Sequence, residues 1–144
     1  MARLRAAACK AWTGNGVHAL HVSGGAITEL HHCHVWESGK SGILVEGAHS
    51  KVTVSGGTVC RNRGHGIHVI NGAAAYAHGC SIRRNGKFGV HASGIRTVVE
   101  LASLQDACVG ECTSQSACFI SGNTAGSFDI LEPAQLIQAE GSVQ

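Results

Sequence analysis

At 144 residues the chain reads as one domain, and 20 Gly, a single Pro and 4% aromatic residues describe many turns around a narrow core of small aliphatic side chains. A formal net charge of +2 with no Lys/Arg run argues against nucleic acid as a partner, and no stretch approaches the roughly 18 to 20 apolar residues of a membrane span. Seven Cys, an odd number, exclude a complete disulfide framework, and residues 1–10 lack the apolar core of a secretory signal, which together favour a reducing, cytoplasmic setting.

Residues 1–11 are basic and Ala-rich and read as an irregular N-terminal segment. From Trp12 the chain alternates with the period of a strand, placing Val17 and Ala19 inward and His18 and Leu20 outward before a Gly turn at 23–25. The next stretch directs Cys33, Val35, Ile43 and Val45 inward. A third repeats this with Val59, Asn62, Ile67 and Val69, and a fourth with Cys80, Ile82, Asn85, Val90 and Ala92. Cys118, Ile120, Asn123, Phe128 and Ile130 form a fifth, and residues 133–144 read as a tail or cap.

The period follows from the glycines. Gly16, Gly42, Gly66 and Gly89 are 26, 24 and 23 residues apart, and the equivalent Ser127 comes 38 later, the excess being an inserted loop near 102–115. Self-similarity at this period marks a solenoid, in which stacking supplies the core that no single repeat can bury. Stacked repeats put Val35, Val59, Ile82 and Ile120 in one aliphatic ladder and Val17, Ile43, Ile67, Val90 and Phe128 in another. Ser38, Asn62, Asn85 and Asn123 fall at one corner, where Asn tolerates a left-handed backbone and its amide can bond the residue above and below. Cys33 and Cys80 fall two rungs apart, about 9.6 Å, too far for a disulfide.

These repeats, N-R-G-H-G-I-H-V at 62–69 and N-G-K-F-G-V-H-A at 85–92, resemble those of right-handed parallel β-helices of the pectate-lyase-like kind, over about residues 12–132. The stretch I-R-R-N-G-K-F-G-V-H-A-S-G at 82–94 is most similar to the β-helix of F-box-only adaptor proteins. The resemblance implies an all-β fold, a right-handed single-stranded parallel β-helix of about five rungs. It also implies either partner binding or polysaccharide chemistry.

Polysaccharide chemistry needs clustered carboxylates, or a base beside calcium-holding acids. The chain has two Asp, Asp106 and Asp129, and seven Glu scattered over different rungs. His65 lies in a G-H-G triplet similar to that of polygalacturonase-like enzymes, but the Asp-rich elements that accompany it there are missing, so no catalytic residue is assigned. Arg61, Arg83, Arg84 and Lys87 put basic groups along one edge, where they could meet an acidic sugar or protein segment and would also discourage edge pairing. His18, His68 and His91 occupy one outward position, interrupted by Leu44 and followed by Asp129, as a binding stripe. His68 and His91 are weak metal candidates, as are His32 and His34, which alternation keeps apart from Cys33. Cys108 and Cys112 in the inserted loop, with Cys118 nearby, have no recognisable zinc pattern.

The sequence therefore predicts a non-catalytic repeat module for a protein or carbohydrate partner, with no cofactor, as a piece of a longer chain or one that self-associates through open ends. The alternative is a polysaccharide lyase, glycoside hydrolase or epimerase.

Overall fold

Apolar and polar residues alternate over short runs that are then cut by Gly or a left-handed residue, so most runs are short strands with one face turned to the core. The computed structural model describes residues 3–7, 17–102, 104–105, 118–121, 123–130 and 135–139, and every regular element among them is a strand. In chain order these are β1 (Arg3–Ala7), β2 (Leu20–Val22), β3 (Ile27–His31), β4 (His34–Trp36), β5 (Ile43–Glu46), β6 (Lys51–Ser55), β7 (Thr58–Cys60) and β8 (Ile67–Ile70). There follow β9 (Ala74–His78), β10 (Ser81–Arg83), β11 (Phe88–Ser93), β12 (Val98–Ala102), β13 (Leu104–Gln105), β14 (Cys118–Ser121), β15 (Gly126–Ile130) and β16 (Gln135–Ala139).

Strands from successive repeats pair in parallel, in three sheets of six, five and five strands. The first sheet runs β1-β3-β6-β9-β12-β16, the second β13-β14-β10-β7-β4 and the third β15-β11-β8-β5-β2. The chain visits each sheet once per turn, which makes a parallel β-helix of about five coils. Its core is the stack of inward positions. Val35, Val59 and Ile82 are in register in the second sheet, and Ile43, Ile67 and Val90 in the third, all exposed by 1% or less. Each such side chain contributes about 1.5 to 3 kcal/mol by leaving water.

One corner is held by side chains rather than by sheet pairing. Asn62 Oδ1 accepts the Ser38 N–H at 3.0 Å and the Ser38 hydroxyl at 2.8 Å. Asn85 Oδ1 accepts the Asn62 N–H at 3.2 Å and its amide at 3.0 Å, and Asn123 Oδ1 takes the same two donors of Asn85, each at 2.9 Å. The expected ladder is present, but the left-handed conformation belongs to the residue before each of its first three members. Glu37, Arg61 and Arg84 have φ of 56°, 55° and 54°. That twist turns the Asn into the interior, where Asn62 and Asn85 are buried, and leaves Arg61 and Arg84 in solvent.

The first rung differs from the sequence frame. Leu20, not Val17, pairs with Ile43, and His21, not His18, pairs with Leu44. Val17 is 57% exposed. The sequence V-H-A-L-H-V offers the same apolar-His-apolar pattern twice, and the hydrogen-bonded frame uses the second copy, 23 residues before its partner.

Within the segment read as irregular, Arg3–Ala7 forms β1 and pairs with β3, because an open strand edge accepts any extended backbone whatever its repeat signature. At the other end, Gln135–Ala139 pairs with β12 as a further strand. Of the insertion near 102–115, Leu104–Gln105 is β13, on the outer side of β14. Cys108 and Cys112 lie outside the described residues.

Candidate functional site: two basic clefts on the outer faces

Because inward and outward positions alternate, fixing Val35, Val59 and Ile82 in the core directs their neighbours outward. Trp36, Cys60 and Arg83 thus stack in register on the second sheet, beside His34, Thr58 and Ser81. The left-handed residues Arg61 and Arg84 follow directly. His34, Trp36, Thr58, Cys60, Arg61, Arg83 and Arg84 line a cleft of about 470 Å³; Glu37, at the corner position equivalent to Arg61 and Arg84, is not in the lining, though its charge reaches Cys60. The three Arg are exposed, and among the described residues none is held in an ion pair. Trp36 is partly buried, and its Nε1–H has no acceptor among the described residues, so no polar contact ties the ring down. Burial pushes the Cys60 thiol up, against the opposing pull of Arg83, Arg61 and Arg84. It is therefore a packed thiol, not an activated nucleophile.

A second cleft, of about 390 Å³, opens beside the third sheet between His18, Lys40, Leu44, Arg63, His65, His68 and Lys87. His68, His91 and Asp129 are in register along its strands. His65, from the turn before β8, leans across them. Its ring centroid lies 4.9 Å from His68 and 4.5 Å from His91, and His68 and His91 are 4.8 Å apart. His91 Nδ1 is 2.8 Å from Asp129 Oδ2, and His65 Nδ1 accepts the Phe88 N–H at 3.2 Å. Burial, then the neighbouring imidazoles and Lys87, hold His65 down at about 4, and burial followed by His91 does the same to His68. Burial also holds His18 below the usual imidazole range, and its Nδ1 accepts the Ser41 N–H at 3.1 Å.

The structure brings Arg61, Arg83 and Arg84 together, while Lys87 belongs to the other cleft. His68 and His91 adjoin as expected. His18 instead lies beside His21, with ring centroids 6.2 Å apart. His32 sits at a left-handed corner and His34 on the first cleft, and among the described residues neither joins the group of converging ligand atoms. Two residues carry more than the sequence indicated. Trp36 was visible by alternation as outward and in line with Arg83, whereas His65 meets His68 only through the curl of the turn, which no periodicity expresses.

A family model described as "Right handed beta helix region" matches residues 14–101. That is more than half of the chain, and the chain belongs to this right-handed β-helix family. No curated protein and no solved structure gives a match.

Proposed function

We propose that the chain is a non-catalytic recognition module that binds an acidic carbohydrate along the Trp36 cleft. The observation that carries this is that Arg61, Arg83 and Arg84 line one groove together with Trp36, while Glu37, at the corner position equivalent to Arg61 and Arg84, stays out of the lining. Arg forks match carboxylates in bidentate fashion, and an indole offers a flat apolar face for the C–H side of a sugar ring. Catalysis would require an acid or base at the same place. The lining offers a single imidazole, His34, with no carboxylate among the lining residues to pair with it, and burial keeps the Cys60 thiol protonated. The resemblance of residues 82–94 to F-box-only adaptor repeats supports a binding role as well, with an acidic protein segment as the other chemistry the arginines would accept.

The polysaccharide-processing alternative has one observation in its favour, the His91–Asp129 pair, in which a carboxylate orients an imidazole. One experiment addresses both readings: the purified chain on an array of acidic and neutral glycans, scored for retention and for released products. Retention of acidic glycans, lost in Trp36→Ala and in Arg83→Ala/Arg84→Ala, supports the module. Product release that disappears in His91→Gln supports the enzyme, and no retention of any acidic glycan overturns the carbohydrate reading.

A further inference from the structure

The second cleft gathers ligand chemistry that carbohydrate binding does not use. One ligand nitrogen from each of His65, His68 and His91 lies within 4.8 Å of the other two, on half-buried side chains. Four-coordinate zinc with nitrogens at about 2.0 to 2.1 Å needs them ~3.4 Å apart, a closure that side-chain rotations can supply. We propose that His65, His68 and His91 bind one divalent transition-metal ion of the zinc class, with Asp129 as the positioning residue for His91.

Three features support the assignment. First, the Asp129 carboxylate, 2.8 Å from His91 Nδ1, accepts a hydrogen bond from Nδ1–H and so holds the proton on that nitrogen, which leaves Nε2 with its lone pair, the arrangement found behind metal-binding imidazoles. Second, His68 makes no hydrogen bond among the described residues and is free to turn either nitrogen to the ion. Third, all three ligands are imidazoles, which suit zinc, copper and nickel and are poor partners for calcium or magnesium. His65 must release the Phe88 N–H if it ligates through Nε2, since a neutral ring cannot accept at one nitrogen and bind metal at the other unless it loses its proton.

Three protein ligands leave a fourth position open toward Lys40, Arg63 and Lys87. An anionic fourth ligand, a carboxylate above all, would balance the charge of the ion and meet those cations. Without such a ligand, the exposed Lys40, Arg63 and Lys87 can turn their charges away from the ion on their long stems. This proposal does not rest on the carbohydrate reading, because it uses a different face.

The test is calorimetric titration of the full chain, stripped with chelator, with Zn²⁺, alongside visible absorption with Co²⁺. The expected result is one equivalent bound, lost in the His65→Gln/His68→Gln/His91→Gln variant, with a tetrahedral Co²⁺ spectrum lacking thiolate charge-transfer bands. Asp129→Asn is expected to keep the stoichiometry and weaken binding by about 10- to 100-fold. Should the triple variant fail to fold by circular dichroism, Asp129→Asn and His91→Gln carry the test, since both substitutions lie on the outer face of the sheet. Undiminished binding in the triple variant, a thiolate signature in the Co²⁺ spectrum, or no binding to the parent would overturn the site.

Discussion

The pair Arg84 and Asn85 shows how one backbone torsion serves the fold and the surface at once. A left-handed residue costs about 1 to 2 kcal/mol, and at 54° Arg84 bears that cost so that Asn85 can point inward and its own guanidinium outward. Arg84→Gly relieves the strain but adds the entropy of a Gly to the unfolded chain, so stability should move by less than about 1 kcal/mol while acidic-glycan binding weakens. Asn85→Ala behaves oppositely. It strands the Asn62 N–H and amide in a buried corner, and denaturant unfolding should show a loss of about 3 kcal/mol with the surface unchanged. Gly66 is fixed by space: a Cβ there would lie 2.6 Å from the Gly89 carbonyl and 2.8 Å from the Asn85 amide. Gly66→Ala should therefore cost about 1 to 3 kcal/mol in the same measurement.

At the scale of the strand, outward residues repeat once per coil and form stripes whose chemistry is set by three or four side chains. In the third sheet that stripe is His21, Leu44, His68, His91 and Asp129. His65 and His68 are held at about 4 in the fold, against 6.5 for an exposed imidazole. Between these values the unfolded chain carries protons that the fold does not, so unfolding takes up protons and stability falls as pH drops from about 6.5 to about 4. Below about 4 both states are protonated and the loss levels off. Burial sets this balance first, followed by His91, His68, His18 and Lys87, which oppose protonation, and Asp129 and Glu46, which favour it. In chelator-containing buffer, urea midpoints should drop across this window, and drop less in His68→Gln. An equal drop in both proteins would show that His68 is not held down by the fold.

At the scale of the molecule, the solenoid was legible because repetition multiplies weak signals. Among the described residues no single strand exceeds six residues, yet Val35, Val59 and Ile82, or Ser38, Asn62 and Asn85, declare a shared frame by recurring at 23 to 24 residues. The frame slipped where the repeat was ambiguous, at V-H-A-L-H-V, and it could not follow β1, whose pairing is backbone to backbone. The arginine cluster was legible for the same reason as the core, since Arg61 and Arg84 are repeats of one position. The His65 contact was not, because it crosses from a turn to a strand rather than running up a ladder. Chemistry on this fold is thus easiest to read along the stacking axis and hardest around the coil. The net charge of +2 likewise conceals two local concentrations of cations, one in each cleft, which only the winding of the chain brings together.

The most direct measurement is a fluorescence titration of Trp36 in a Trp12→Phe background, the chain having two Trp, with an acidic oligosaccharide and its neutral counterpart at low and high salt. A saturable change with the acidic ligand alone, weakening as salt screens the arginines and absent in Arg61→Ala/Arg83→Ala/Arg84→Ala, is the expected result. No saturable change with the acidic ligand, or equal and salt-insensitive binding of the neutral one, would contradict recognition of acidic carbohydrate by this cleft.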